Sequence, residues 1–461
     1  MTDYAKNSVK DNPLGTAPLI PLIAGYAIPS IISMLVGAAY NITDQIFIGH
    51  VVGMLGNAAT NVTFPTVTLT TGISMLFGLG TAANFSINQG AGKIEEARKY
   101  VHTGLTGVMI VGIMIGLLVF VLRSPIIVLC GAERSGNVYP YAMAYLSITA
   151  FGLPFQMFAH SSSTIIRADG SPRYSMLCTV SGAILNVFLD WLFMYPLGMG
   201  IRGAAIATVL SQILSFSLAA LYYPRFRAFS LSIRELGISI PHMLGSMAAG
   251  IPNFCNHMLM MVTSIVLNNV LATYGAFSVY GLDIPLAVSG VAQKTSMIMV
   301  SFAVGIAQGC QPIWGFNLGA KNYERVKGAY WRAFAAAFGV GVIFFIALQA
   351  FPREIISIFG TGNELYFEFA EKYLKIYMML VFFQNIQPIT INYFSATGNH
   401  KQGLLVSLSR QGLFLVPLLI LLPKFMGMNG ILAASPISDA MAFVLSVSMV
   451  LVSFRNFEEN K

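Results

Sequence analysis

The chain has 461 residues, of which 56% are hydrophobic and only 10% charged, and its mean hydropathy is +0.71. A soluble domain carries about 25% charged residues, so this composition excludes an ordinary soluble protein. The net charge of +8 comes from lysines and arginines that collect in short segments beside apolar runs, a pattern typical of membrane proteins that gives no indication of nucleic-acid binding.

Long runs without charged residues recur along the whole chain. Each can supply the roughly 20 residues with which a helix crosses the hydrocarbon core, and the runs lack the short alternating segments of a membrane β-barrel. We therefore predict an all-α polytopic membrane protein with twelve transmembrane helices. The predicted spans cover residues 18–48, 57–88, 99–122, 136–166, 174–197, 202–223, 242–273, 278–318, 330–351, 366–396, 402–423 and 429–454.

The first predicted span contains one acid. Asp44, in the stretch YNITDQIFIGH, is the only Asp, Glu, Lys or Arg between Asp11 and Lys93. A carboxylate at the centre of a membrane helix costs about 2.5–3.5 kcal/mol on translocon scales, and acids that are retained there usually serve ion or proton binding. Asp44 lies roughly 6–12 Å from the outer end of the span, at 1.5 Å per residue. The sequence therefore marks Asp44 as a candidate functional residue.

Further polar residues follow in the fifth and sixth predicted spans. Asp190 is preceded by Asn186 at a distance of four residues, so both side chains share one helix face. Thr208 adds a hydroxyl from the next antiparallel span. Two carboxylates, an amide oxygen and a hydroxyl form a hard oxygen-ligand set that suits a small cation or exchangeable protons. The alternative is that these groups only hold helices together, which is common for hydroxyls and uncommon for paired acids.

The last six predicted spans repeat the first six. The segment GTAANFSINQGAGKIEEARK aligns with GCQPIWGFNLGAKNYERVK, and GIRGAAIATVLSQ aligns with GMNGILAASPISD, all at an offset near 228 residues. Because six is even, both halves enter the membrane in the same orientation, as in parallel-repeat transporters. We predict a six-helix bundle over 1–223, a linker over 224–240 and a second six-helix bundle over 241–461. Two facing bundles suit alternating access better than they suit a channel or a receptor.

The orientation follows from the positions of lysine and arginine. With the N-terminus inside, the inner segments contain most of the basic residues, including the clusters around Lys93, Arg225 and Arg325. The positive-inside rule then places both termini in the cytoplasm. We expect a multi-pass protein of the cell (inner) membrane, in contact with the lipid bilayer and acting as a monomer.

Four motifs carry a resemblance to a known family. The segments IPSIISMLVGAAYNITDQIFIGH, NQGAGKIEEARK, ILNVFLDWLFMYPLGMGIRGAAIATVLSQ and FNLGAKNYERVK together resemble the multidrug and toxic compound extrusion (MATE) transporters. The resemblance covers residues 14 to 455, and the order and spacing of the motifs make it more specific than any one of them. It implies a V-shaped pair of bundles that exports organic cations, driven by inward movement of Na+ or H+.

The resemblance also implies roles for individual residues. Asp44, Asn186, Asp190 and Thr208 match residues that form the cation site in the N-terminal half of similar transporters, and Tyr40 and Pro29 resemble a tyrosine that lines the site and a proline at which the first helix bends. Some branches of the family also place coupling acids deep in spans seven and ten. This sequence lacks them, so we assign cation coupling to the first half.

Three charged residues keep open interpretations. Lys294 lies in the middle of span eight, where similar transporters also have a basic residue, and it either gates the cleft or merely pairs helices. Asp283 lies close to the outer end of the same span and can simply be hydrated. Asp439 lies toward the start of span twelve, where a helix N-terminus could stabilise it without any function.

The sequence thus predicts a secondary antiporter that exports cationic or amphipathic organic compounds in exchange for H+ or Na+. A flippase for lipid-linked precursors, from the same broad superfamily, is the alternative; that branch implies a strongly basic cavity and extra spans, and here only Lys294 and Arg410 are basic residues in mid-span. An enzyme is not expected, because no HExxH or GxSxG motif occurs. We expect no cofactor and no metal beyond a Na+ ion at Asp44, Asn186, Asp190 and Thr208. The choice between Na+ and H+ stays open.

Overall fold

The computed structural model describes residues 12–229, 237–359 and 362–459, and within these ranges every regular element is helical. The N-terminal tail and residues 230–236, which belong to the predicted linker 224–240, lie outside the described residues. The first six spans are formed by the helices Leu19–Val51, Met54–Gly90, Ile94–Val121, Val138–Thr149 with Leu153–Ala168, Pro172–Met194 and Gly200–Ala220, and the short helices Pro13–Thr16, Arg123–Leu129 and Tyr223–Arg225 lie between or beside them.

The second six spans follow the same order. They consist of Ile240–Gly275, Asp283–Gly319, Tyr323–Ala350, the series Glu364–Tyr377, Val381–Gln384 and Ile386–Ala396, the series His400–Leu408, Ser409–Leu415 and Val416–Met426, and finally Met428–Glu459, with the short helix Pro352–Phe359 after span nine. Ten of the described helices are long and apolar enough to cross a membrane, and the bent pair of span four adds an eleventh. Together with the interrupted span ten, the predicted twelve-helix fold is confirmed.

Two of the predicted spans, 136–166 and 366–396, each consist of more than one helix. Span four bends by 57° between Thr149 and Leu153, and span ten is interrupted after Tyr377 and again after Gln384. Prolines explain the bend of span four and the second interruption of span ten, because Pro154 and Pro388 lack the backbone N–H that would bond to the carbonyl four residues earlier.

The internal repeat extends to the conformation of single turns. Of the ten described residues with positive φ, eight form four pairs at the offset seen in the sequence, and the two members of each pair have similar φ angles. The pairs are Gly53 (82°) with Gly281 (67°), Gly92 (72°) with Lys321 (58°), Gly170 (86°) with Gly398 (73°), and Gly200 (54°) with Gly427 (57°). Among the described residues, Lys321 is the one residue other than glycine in this strained region. The two halves are therefore built on one backbone plan.

The halves cross each other through reciprocal glycine contacts. A Cβ atom on Gly90 of span two would lie 1.9 Å from the carbonyl oxygen of Phe316, and one on Gly319 of span eight would lie 1.9 Å from that of Ile87. Such distances leave no room for any side chain, so spans two and eight meet backbone to backbone. Each half thus contributes the equivalent glycine to the backbone of the other half, as expected for two repeats related by a two-fold axis.

One end of the bundle is closed between the halves. This closed end contains the start of span one and the end of span twelve. Hydrogen bonds join the halves there, from Asn84 Nδ2 to the Gly245 carbonyl (3.1 Å) and from Gln311 Nε2 to the Leu79 carbonyl (2.9 Å). Toward the opposite end, separate apolar cores form, one entirely within the first half and one entirely within the second. The halves are therefore joined at the closed end, whereas each has its own apolar core at the opposite end.

The chain leaves the first half through an anchored segment. Asp169, in the turn after span four, accepts hydrogen bonds from the Tyr222 hydroxyl (2.7 Å) and from the backbone N–H groups of Arg227 (2.7 Å) and Ala228 (3.0 Å). These bonds hold the start of the linker against the first bundle. The division of the chain at residues 223 and 241 stays a prediction.

Candidate functional site

The structure brings together the four residues predicted to hold a cation. Asp44 of span one, Asn186 and Asp190 of span five and Thr208 of span six are all buried, with Asp44 8% exposed and Asp190 fully buried. Span six can approach span five closely because Gly182 has no side chain: a Cβ there would lie 2.0 Å from Ser215 Oγ. The polar face of span five is thus pressed against the helix that contains Thr208.

Asn186 links the acid of span five to the backbone of span six. Its side-chain nitrogen donates to Asp190 Oδ2 at 2.8 Å, and its side-chain oxygen accepts from the Thr208 N–H at 3.3 Å. This network fixes the orientation of the amide. Asn186 is therefore a positioning residue that holds one oxygen of Asp190 and leaves the other available.

Several oxygens at the site have no hydrogen-bond partner among the described residues. Asp44 Oδ1, Asp190 Oδ1 and Thr208 Oγ1 are all buried in this state, although the two carboxyl groups lie within interaction distance of each other. Two adjacent carboxylates cannot both stay ionised in a poorly solvated interior unless a cation or a shared proton lies between them. The donor set therefore fits Na+ or H+, and no described Lys or Arg enters the electrostatic surroundings of either acid.

Two tyrosines complete the walls of the site. Tyr40 of span one and Tyr145 of span four both lie close to Thr208, although Thr208 Oγ1 has no hydrogen-bond partner among the described residues. The sequence analysis predicted Tyr40 and missed Tyr145. The internal repeat could have indicated Tyr145, because this residue aligns with Tyr373 in the second half. Both tyrosines are buried.

Pro29 and Lys294 lie apart from this cluster. Pro29 is buried near the closed end, and the helix Leu19–Val51 continues through it, which places it about 22 Å from Asp44 along the helix axis at 1.5 Å per residue. Lys294 is exposed in span eight. It shares a helix face with Gly305, three turns further on, which packs against Ile31 of span one. Lys294 therefore faces the first half without contacting the two acids.

Asp439 has a different environment from the one expected. It lies about three turns inside the helix Met428–Glu459, so the helix N-terminus does not stabilise it and that interpretation is wrong. Its partner is the guanidinium of Arg410, whose Nε donates to Asp439 Oδ1 at 2.6 Å. Asp283 is exposed in the first turn of its helix, as expected of a hydrated residue.

The profile of the MatE family matches the chain twice, over residues 29–192 and 252–421, once in each half. The chain belongs to the MatE family. MatE proteins are membrane transporters, so this multi-pass protein is a transporter and not an enzyme.

Individual MatE relatives are distant in sequence and similar in fold. The multidrug export protein MepA of Staphylococcus aureus is 24% identical over 440 residues, which are 94% of each chain. A solved structure described as the outward-facing conformation of a multidrug resistance MATE family transporter is 22% identical, covers 100% of both chains and gives a TM-score of 0.89. The Vibrio cholerae MATE transporter VcmN is 20% identical, covers 96% of this chain and 98% of its own, and gives a TM-score of 0.86.

Proposed function

We propose that this MatE transporter exports cationic or amphipathic organic compounds in exchange for Na+ or H+. The observation that carries the proposal is the buried pair Asp44 and Asp190, whose unpartnered oxygens are supplemented by Thr208. A buried acid pair without a basic neighbour needs an exchangeable cation for charge balance. The name of its relative MepA, a multidrug export protein, supports small organic compounds as the exported substrate.

The predicted topology gives a direction to the observed conformation. If both termini lie in the cytoplasm, the closed end is cytoplasmic and the cleft between the halves opens to the outside. This is the state in which substrate leaves and the coupling cation enters. Asn84 and Gln311, which bond to the opposite half at the closed end, must then release their partners before the inward-open state can form.

Exchange follows from charge competition at one group of oxygens. With the cation bound, Asp44 and Asp190 are neutralised and span one packs against span five. Without it, the two acids favour an organic cation in the cleft, so the two ligands exclude each other. Pro29 supplies a position in span one where one helical hydrogen bond is already absent, and bending there requires less reorganisation.

Proteoliposomes containing the purified protein test this function. Efflux of a fluorescent cation such as ethidium is measured under an imposed Na+ gradient or an imposed pH gradient, each alone. We expect one of the two gradients to drive efflux. Absence of efflux under both, together with movement of a labelled lipid-linked sugar in the same vesicles, would replace the antiporter with a flippase.

A further inference from the structure

The second half contains a buried ion pair that the transport scheme above does not use. Arg410 of span eleven donates from Nε to Asp439 Oδ1 of span twelve at 2.6 Å. Asp439 is 1% exposed and Arg410 8% exposed. Ser435 Oγ lies 3.5 Å from Asp439 Oδ2, and Ser438 Oγ donates to the Arg410 carbonyl at 2.8 Å.

The repeat relates this pair to the cation site of the first half. Ser435 aligns with Thr208, and Arg410 aligns with Gly182, which lies on the same face of span five as Asn186 and Asp190. The backbone contacts agree with this alignment. Gly182 packs against the Ser211 carbonyl of span six, just as Arg410 packs against Ser438 of span twelve.

The two halves differ in which groups carry charge at these positions. In the first half, Asp190 lies where the second half has Leu418, and the alignment partner of Asp439 is the neutral Gln212. The first half therefore has two acids without a base, whereas the second half has one acid with a base. The π-helix Ser409–Leu415 accommodates Arg410, and such bulges within α-helices often occur at functional positions.

We infer that the guanidinium of Arg410 is a tethered cation, which takes in the second half the place that the exchangeable cation takes in the first. A guanidinium stays charged at every physiological pH and cannot leave, so the second half is neutralised from within. Given the proposed function, the transporter then takes up its coupling cation in the first half only. One further titratable group, Tyr377, interacts with the pair from span ten.

Removal of the tethered cation tests the inference. The melting temperature of the full-length protein in detergent is measured across a Na+ series at fixed pH, with choline as the balancing ion, and across a pH series at fixed salt. Asp44→Asn/Asp190→Asn serves as the background, because it removes both acids from which the first half would derive an ion dependence. In this background, Arg410→Gln leaves Asp439 as a buried acid without a base.

We expect the Asp44→Asn/Asp190→Asn background to melt independently of Na+. Adding Arg410→Gln makes the melting temperature depend on Na+, or depend more steeply on pH than in the background, by about 3 °C or more between the extremes, and adding Asp439→Asn as well abolishes this difference. If adding Arg410→Gln leaves the dependence on both Na+ and pH equal to that of the background, the tethered-cation assignment is overturned. A Na+ dependence of the background itself, or a pH dependence as steep as that of the wild type, instead overturns the assignment of coupling to the first half, so the two failures are distinguishable.

A second pair of variants covers the case in which Arg410→Gln does not accumulate. Loss of one partner from a buried ion pair is strongly destabilising, whereas neutralising both partners is often tolerated. We therefore expect Arg410→Gln/Asp439→Asn to accumulate at least several-fold better than Arg410→Gln alone. Equal loss in both would show that Arg410 is needed for packing and not for charge balance, which overturns the inference.

Discussion

The two halves of the transporter share a backbone and differ in charge. Four left-handed turns of the first half recur in the second, from Gly53 with Gly281 to Gly200 with Gly427, yet the acid pair of the first half has no counterpart at the aligned positions of the second. Asp190 is replaced by Leu418 and Asn186 by Phe414. The comparison teaches that the buried polar residues of the two halves can differ completely, provided that the charges within each half are balanced.

The largest effect is expected for the charge of Asp190. Asp190→Asn keeps the volume of the side chain and removes the charge that binds the coupling cation in the proposed scheme, so gradient-driven efflux should fall to the level of protein-free liposomes. Asp283→Asn is the matched control, because it makes the same change at an exposed acid, and it should keep efflux. Wild-type efflux in Asp190→Asn protein with a normal elution profile contradicts the site assignment.

A second variant tests the comparison by introducing an acid into the second half. Leu418→Asp, at the position equivalent to Asp190, places a carboxylate beside Phe414, which offers no amide. With a cost of about 2.5–3.5 kcal/mol for a central Asp, we expect most of the protein to fail in folding or insertion, measured as the yield of monodisperse protein. Leu418→Met is the control of similar volume. Normal insertion with two bound coupling cations per chain would contradict the one-site scheme.

A smaller, regulatory effect is expected at Asp44. In the proposed scheme the charge of Asp44 couples cation binding to drug binding, so Asp44→Asn should weaken coupling-ion binding and make drug affinity independent of that ion. The measurement is the Kd of a fluorescent organic cation in detergent, with the coupling ion varied, for the wild type and the variant. An unchanged ion dependence would reduce Asp44 to a structural residue.

The smallest effect concerns a single pair of turns. Lys321 has φ 58°, where its partner Gly92 has φ 72°, and a side chain in this region costs about 1–2 kcal/mol. Lys321→Gly should remove that strain energy. Glycine has greater freedom in the unfolded chain, and this offsets about 0.5–1 kcal/mol of the gain in stability. A rise in melting temperature of about 1–2 °C is expected.

Gly92→Ala is the reciprocal variant. A Cβ atom on residue 92 would meet no atom within 4 Å, so backbone strain is the one cause that lowers the stability of this variant. The melting temperature of the Gly92→Ala protein should therefore fall. A stabilising Gly92→Ala or a destabilising Lys321→Gly would show that the paired turns do not share one conformational preference.

Much of the fold could be predicted from the sequence because a helix that crosses lipid must be long and largely uncharged. Long uncharged runs predict the spans, and the repeat predicts two bundles of equal orientation. The breaks in spans four and ten were missed although Pro154 and Pro388 are visible, because a proline in a membrane helix is often accommodated without a break. The structure had to show which prolines interrupt a helix.

The candidate site was predictable where spacing carries the signal. Asn186 and Asp190 are one helical turn apart, so their spacing predicts that they share a helix face. Thr208 follows in the adjacent span. Arg410 and Asp439 were both noted individually, yet their pairing was missed. Opposite charges at similar depth in neighbouring spans were the signal, and Asp439 was instead attributed to a helix terminus that lies three turns away.

The reciprocal crossing of Gly90 and Gly319 has a consequence for the ancestry of the chain. A half-length precursor that paired with itself in parallel would have made this contact twice with one glycine, as an isologous interface does. After duplication and fusion, each of the two copies still faces the other backbone and cannot accept a side chain. Positions remote from the axis, such as Asp190 and Leu418, had no such partner to match. The symmetry of such a dimer is thus retained where spans two and eight meet, whereas the aligned residues Asp190 and Leu418 differ.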